Sequence, residues 1–167
     1  MVSLQQRGFT LIEMLVVVVI IGVLLGITLL SPITGSLHKV VQGEASRLQV
    51  LFNQVRDKAA IENVYYGFSI DHEGYYRWWV LPANSREWVI LDESPYQPYL
   101  MPESLSLSLN SLETSRPFEF DEESPSVVFH SDYQVTPFRL HIIPVENRKQ
   151  SLYLITDGLS DIERVRE

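Results

Sequence analysis

Residues 7–31 read RGFTLIEMLVVVVIIGVLLGITLLS, and this stretch decides how the rest of the chain is organised. Residues 14–30 form a run of 17 without a charged side chain. A helix needs about 20 mostly apolar residues to cross a bilayer, whereas a secretory signal has an apolar core of about 7–15 followed by a small-residue cleavage site. The run is longer than that core, and no Ala-x-Ala follows it. We therefore predict a transmembrane helix.

Glu13 is the one charged residue within this apolar segment. A carboxylate deep in a membrane helix costs about 2.5–3.5 kcal/mol on insertion scales, so it indicates a function. A plain signal anchor is the alternative, but it has no use for Glu13 or for Gly8–Phe9 at the membrane boundary. Arg7 is the only basic residue before the segment, and positive charge stays in the cytoplasm. The bulk of the chain is therefore expected on the other side of the membrane.

The polar leader, the Gly8–Phe9 junction, Glu13 and the apolar run together resemble the N-terminal signal of type IV pilins and of type II secretion pseudopilins. The resemblance implies that a prepilin peptidase cleaves after Gly8 and methylates the new N-terminus at Phe9. Glu13 is then the fifth mature residue, and its expected partner is the N-terminal amine of a neighbouring subunit. Such pairing recovers much of the cost of two separate charges in hydrocarbon.

Gly22 and Gly26 lie four residues apart in the predicted membrane helix. Two small residues at this spacing share a helix face and permit close approach of a second helix. Glycine is also common in membrane helices in general. A helix-packing role for this pair and a neutral role both remain open.

Beyond the anchor, apolar residues continue at helical spacing over about residues 36–62, with charged and amide residues between them. This pattern predicts an amphipathic helix. Its apolar stripe requires a partner, either a second helix in a coiled coil or a sheet. A sheet is favoured because the pattern changes to short strands directly afterwards.

The remainder of the chain predicts short β-strands. Residues 64–70 and 75–81 flank a loop that ends in Gly74, which is typical of a β-hairpin. Residues 126–130 and 136–142 are predicted to form a second pair, and residues 96–102 a proline-rich loop. The other predicted strands are 88–91, 105–109 and 152–156. Short connections favour antiparallel pairing.

Three patches beyond the apolar segment are similar to the protein H family, the minor pseudopilins of type II secretion. The most specific is the Thr136-Pro137-Phe138-x-Leu140 string within SVVFHSDYQVTPFRLHI (126–142). The others are Glu44-x-x-Arg47-Leu48 and Tyr66-Gly67-Phe68. Tyr133 departs from the family pattern, which often has glycine or another small residue there, so a different turn is expected. Minor pilins of type IV pili are the near alternative.

The resemblance predicts an α+β, type IV pilin-like fold with a long N-terminal helix packed on antiparallel sheet. We divide the chain into a leader (1–8), the transmembrane part of the helix (9–31), its amphipathic part (32–63) and a β-rich periplasmic domain (64–167). The implied location is the inner membrane, crossed once, with the C-terminal domain in the periplasm.

The same resemblance implies a structural subunit near the tip of a periplasmic filament that pushes folded exoproteins through the outer-membrane secretin. The expected partners are other minor pseudopilins, the major pseudopilin, the prepilin peptidase, the inner-membrane assembly platform and exoproteins. The chain itself is expected to catalyse nothing. A membrane-anchored periplasmic enzyme or binding module is the alternative from a different functional class.

Composition limits other functions. The net charge is −8, and loss of Arg7 with the leader makes it −9, which argues against nucleic acid as a partner. The four histidines lack zinc-site spacing, and the acidic run 121–123 lacks the glycine and spacing of an EF-hand. We predict neither metal nor cofactor. Strand alternation places Trp78 and Trp79 on opposite sheet faces, so at least one is predicted to be exposed as a partner surface.

Overall fold

The computed structural model describes residues 11–29 and 33–166, and it divides the chain into two compact units, 1–36 and 37–167. Helix α1 comprises Leu11–Leu29 and helix α2 comprises Ile33–Glu62. The predicted leader and both ends of the predicted membrane segment (9–31) lie outside the described residues. Within the part of the chain that is described, no helix is both long enough and apolar enough to cross a membrane.

Helix α2 buries one face, as its amphipathic pattern predicts. The fully buried positions recur every three or four residues, which is the spacing of one helix face. They are Val41, Ala45, Leu48, Phe52, Val55 and Ala59. The helix begins three residues before the predicted start and ends where predicted.

Two antiparallel sheets complete the second unit. The first has the order β3-β2-β1-β6 with β4 also on β2, and the second has the order β5-β7-β8-β9. The strands are β1 (Tyr65–Ile70), β2 (Tyr75–Leu81), β3 (Val89–Ile90), β4 (Tyr99–Leu100), β5 (Leu105–Ser111), β6 (Val127–Phe129), β7 (Phe138–Pro144), β8 (Leu152–Thr156) and β9 (Glu163–Arg166), with a 3-10 turn at Arg148–Gln150. The β1–β2 hairpin is confirmed, with Tyr65 opposite Leu81. The predicted α+β fold with a helix on antiparallel sheet is therefore confirmed.

The predicted pairing of 126–130 with 136–142 is wrong. Strand β6 pairs with β1, whereas β7 pairs with β5 and β8 in the other sheet. The chain crosses between the sheets in a tight turn, and a single bridge from Phe129 to Val135 joins its two sides. Tyr133 adopts φ 68° in this turn. That left-handed conformation favours glycine over residues that carry a Cβ.

Phe52 of α2 lies where the helix and both sheets meet. Its ring centroid is 4.9 Å from that of Phe68, 5.2 Å from that of Trp78 and 5.2 Å from that of Phe138. The chain has no cysteine, so this aromatic centre and the surrounding aliphatic residues hold the unit together without a disulfide.

Candidate assembly site

Glu13, the predicted assembly residue, lies in helix α1, two residues after the first described residue. Gly8 and Phe9, the predicted cleavage and methylation sites, lie outside the described residues. The structure therefore positions the glutamate but leaves the cleavage junction a prediction.

The apolar side chains of α1 are exposed from Leu11 to Val23. Their exposed fractions range from 86% at Leu11 to 41% at Val17 within the stretch from Leu11 to Val23. A Cβ added to Gly22 would meet no atom within 4 Å, so this face is open to a neighbouring helix. Gly26 is in the same helix, and packing through this pair stays a prediction. A helix that is apolar on all sides requires cover from lipid or from other helices.

The prediction that Trp78 or Trp79 is exposed as a partner surface is wrong. The two side chains are 0% and 2% exposed. Trp78 belongs to the core cluster, whereas Trp79 does not and donates a 2.8 Å hydrogen bond from Nε1 to Ser69 Oγ. Pro125 lies against Gly67 of strand β1, because a Cβ added to Gly67 would come within 3.0 Å of the Pro125 ring. Gly67 pairs with Trp79, so a segment distant in sequence covers the sheet face on which Trp79 lies.

The exposed apolar residues of this region lie on edge strand β3 instead. Val89 is 49% exposed and Ile90 38%, beside the half-buried Trp88. With Trp79 and four charged residues they line a cleft of about 600 Å³; the charged residues are Arg86, Glu87, Glu122 and Glu123. The consecutive apolar residues at 88–90 were the sequence signal for this surface.

Glu44 and Arg47 form a clamp between α2 and strand β4. The Arg47 guanidinium donates to Glu44 Oε2 from Nη2 at 2.7 Å and from Nε at 3.0 Å. Its Cζ lies 3.6 Å from the ring centroid of Tyr99, whose hydroxyl donates to Glu44 Oε1 at 3.3 Å. Burial raises the pKa of the Tyr99 hydroxyl. The Glu44-x-x-Arg47 pattern therefore serves to hold sheet and helix together.

A second polar cluster joins the end of α2 to strand β1. Lys58 forms an ion pair with Glu62, and Tyr66 donates a 2.5 Å hydrogen bond to the other oxygen of that carboxylate. The hydrogen bond from Lys58, followed by that from Tyr66, lowers the pKa of Glu62. Burial is the main cause that raises the pKa of Tyr66, to about 12. The Tyr66 hydroxyl and the Glu62 carboxylate thus both stabilise the contact between α2 and β1.

Arg56 holds the C-terminal third of α2 against two loops. Its guanidinium donates to the carbonyl oxygens of Tyr133 at 3.0 Å, Leu159 at 2.8 Å and Ser160 at 3.2 Å. It also pairs with Asp161 at 3.2 Å, and the Arg56 side chain is only 12% exposed. Four acceptors around one cation fix the sheet-switching turn and the β8–β9 turn against the helix.

The residues that could suggest metal or enzyme chemistry are dispersed. The His130 ring packs edge-on against Tyr65 at 5.3 Å, while His141 stacks on Tyr153 at 4.1 Å in the other sheet. Backbone and side-chain hydrogen bonds from Glu123 and Ser124 lower the pKa of Asp121. Among the described residues, no group of three or more His, Cys, Asp or Glu side chains is placed to hold a metal ion.

Comparison with known families and proteins agrees with this geometry. Residues 3–29 match the prokaryotic N-terminal methylation motif. Type II secretion system protein H of Pseudomonas aeruginosa is 30% identical over an alignment of 166 residues, and the match covers 92% of each chain.

Solved structures show the same fold. The minor pseudopilin EpsH from the type 2 secretion system of Vibrio cholerae aligns with a TM-score of 0.62 at 18% identity, over 76% of this chain and 96% of that one. The solution structure of E. coli GspH aligns with a TM-score of 0.62 at 22% identity, over 77% and 89% of the two chains. With the sequence match along nearly its whole length, this chain belongs to the type II secretion system protein H family.

Proposed function

We propose that this protein is a minor pseudopilin, a structural subunit near the tip of the periplasmic pseudopilus that pushes folded exoproteins through the outer-membrane secretin. The observation that carries the proposal is the N-terminal methylation motif at 3–29 on a chain similar to protein H over 92% of its length. That similarity favours a secretion filament over a type IV pilus. The clamps on α2 give its polar groups structural roles, in keeping with a subunit that catalyses no reaction.

We further propose the processing and location of the chain. Prepilin peptidase cleaves after Gly8 and methylates Phe9, which removes the leader 1–8. Residues 9–31 then anchor the subunit in the inner membrane, the amphipathic part 32–63 continues into the periplasm, and residues 64–167 form the periplasmic domain. The exposed apolar surface of α1 supports this division, because such a surface is stable in lipid or among other helices.

Assembly requires that α1 leave lipid for a bundle of neighbouring helices. The transfer of an apolar helix from lipid to a helix bundle brings no hydrophobic gain, so close packing and polar pairing between helices determine how the subunits associate. In this proposal Glu13 pairs with the N-terminal amine of another subunit, and the absence of any atom within 4 Å of a Cβ at Gly22 supports close helix approach there. We propose as partners the other minor pseudopilins, the major pseudopilin, the assembly platform and, at the tip, exoproteins.

The test separates assembly from insertion and processing. In a strain that depends on this subunit for secretion, Glu13→Leu should still insert and be cleaved, but it should not cross-link to other pseudopilins, and exoprotein secretion should fall at least about tenfold. Val17→Leu, one turn further along the same helix, keeps the charge and should secrete normally. Normal secretion by Glu13→Leu would contradict the assembly role of the carboxylate.

A further inference from the structure

The C-terminal strand β9 lies along α2 and runs in the opposite direction. Gln49 Nε2 donates to the Ile162 carbonyl at 2.8 Å. Further along the strand, Arg164 Nη1 donates to Ser46 Oγ at 2.9 Å and to Gln42 Oε1 at 3.3 Å. Two residues along the strand, from Ile162 to Arg164, thus correspond to about one turn of α2 towards its N-terminal end.

Strand β9 reaches a cleft beside residues 38–42 of α2, near the start of the second unit. The cleft has a volume of about 260 Å³, and His38, Gln42, Lys149, Gln150, Ser151, Leu152 and Arg166 line it. Arg166 lies opposite Leu152 in the β8–β9 ladder. We call this feature the basal cleft, since in the sequence His38 follows the apolar helix α1 by only nine residues.

Two basic side chains, Lys149 and Arg166, line the basal cleft in a chain whose net charge is −8. Arg148 precedes Lys149 in the sequence, and Lys39 follows His38. In the described part of the chain, the ion pairs with carboxylates involve other cations, namely Arg47, Arg56, Lys58 and Arg77. Lys149 and Arg166 form no ion pair with a carboxylate among the described residues, so they can bind an external anion.

Two buried amide atoms in the basal cleft also have no hydrogen-bond partner among the described residues. They are Gln42 Nε2, a donor, and Gln150 Oε1, an acceptor. A buried polar atom without a partner is unfavourable, so a polar group such as an enclosed water is expected beside each of these atoms. A phosphate oxygen suits the two cations that line the cleft.

We propose that the basal cleft binds the phosphate of an anionic phospholipid headgroup at the periplasmic face of the membrane. This inference rests on the membrane anchoring proposed above. A lipid source is favoured over free phosphate because the basal cleft follows the anchor so closely in the sequence. The contact orients an otherwise acidic domain on an anionic surface before the subunit enters the filament, since basic residues near such a surface are attracted to it.

The chain has three lysines, which provide an internal comparison. Full-length protein is reconstituted in nanodiscs of phosphatidylcholine or of phosphatidylcholine with phosphatidylglycerol, treated with a sulfonated acetylating reagent, and analysed by peptide mass spectrometry. Lys149 should react about fivefold more slowly in the anionic discs. Lys58, which is paired with Glu62 at the other end of α2, should react equally in both.

Two double variants test whether the basal cleft itself is responsible. Arg148→Gln/Arg166→Gln should restore the reactivity of Lys149 in anionic discs to within about twofold of that in neutral discs. Arg86→Gln/Arg116→Gln removes the same charge elsewhere and should keep the protection. Protection that survives loss of Arg148 and Arg166 would show simple proximity to a charged surface and would overturn the proposal.

The remaining outcomes are also distinct. Insertion with equal labelling of Lys149 in both discs would refute headgroup binding and leave the anchor intact. Equal protection by inorganic phosphate in neutral discs would refute the lipid as the source. A chain that fails to co-purify with either disc would refute the anchoring, and this inference with it.

Discussion

Gly67→Ala and Gly43→Ala make the same chemical change, yet the structure predicts opposite effects on stability. A Cβ at Gly67 would come within 3.0 Å of the Pro125 ring and 3.3 Å from the Trp79 Cβ. Strand β1 cannot easily move away, because β2 and β6 pair with it on both sides. A Cβ at Gly43, on the exposed face of α2, meets no atom within 4 Å.

The magnitudes follow from these surroundings. Overpacking in a fixed site costs about 1–3 kcal/mol, and replacing glycine by alanine recovers about 0.5–1 kcal/mol of conformational entropy. We expect Gly67→Ala to lower the free energy of unfolding by about 1–2 kcal/mol. Gly43→Ala should raise it by about 0.5–1 kcal/mol, since alanine favours a helix interior.

The assay is urea unfolding of the full chain in mild detergent, followed by tryptophan fluorescence. All three tryptophans lie in the β-rich part, so the signal reports that unit alone. Pro125→Gly should remove the obstacle, so Gly67→Ala should cost about 1 kcal/mol less in that background. Equal effects of Gly67→Ala with and without Pro125 would refute the packing argument, as would stabilisation by Gly67→Ala.

Three further predictions concern the polar clusters, and the same unfolding assay measures each. Arg56→Ala should lower the free energy of unfolding by about 2–3 kcal/mol, because three backbone carbonyls lose a charged donor. The control Arg86→Ala should change it by less than about 0.5 kcal/mol, and equal effects of the two variants would contradict the structural role of Arg56. Ser69→Ala should cost about 1–2 kcal/mol by leaving buried Trp79 Nε1 without an acceptor, and no change would refute that hydrogen bond. Burial raises the pKa of Tyr66 to about 12, so the contribution of its neutral hydroxyl to stability is full below pH 10 and is lost as the pH rises towards 12. Tyr66→Phe should therefore reduce the fall in the free energy of unfolding over this pH range, and an unchanged fall would contradict the prediction.

Local periodicity was enough to predict α2, most strands and the helix-on-sheet packing. The apolar stripe of α2 is continuous, and its buried positions 41–59 follow from helical spacing alone. The β1–β2 hairpin is likewise local, because a short turn joins its strands. Strands β4 and β9 escaped prediction because they are short and lie at sheet edges, where burial leaves little pattern.

Contacts between residues far apart in the chain could not be predicted from local sequence patterns. Whether β6 and β7 pair with each other or join different sheets depends on partners far away in the chain. The burial of Trp79 likewise depends on chain near Pro125, more than 40 residues away. The role of Glu44 was partly visible, because a charge interrupts the apolar stripe, but its partner Tyr99 was not.

The central claim is that this chain is processed and assembled as a pseudopilin, and the most direct measurement is the mass of its N-terminus. The membrane-extracted protein is analysed intact and by N-terminal peptide mass spectrometry, from cells with and without prepilin peptidase. The account predicts that cells with the peptidase yield a chain lacking residues 1–8 and beginning at an N-methylated Phe9, and that cells without it yield the full chain. An uncut N-terminus in cells that have the peptidase would contradict the account and favour a membrane-anchored periplasmic module.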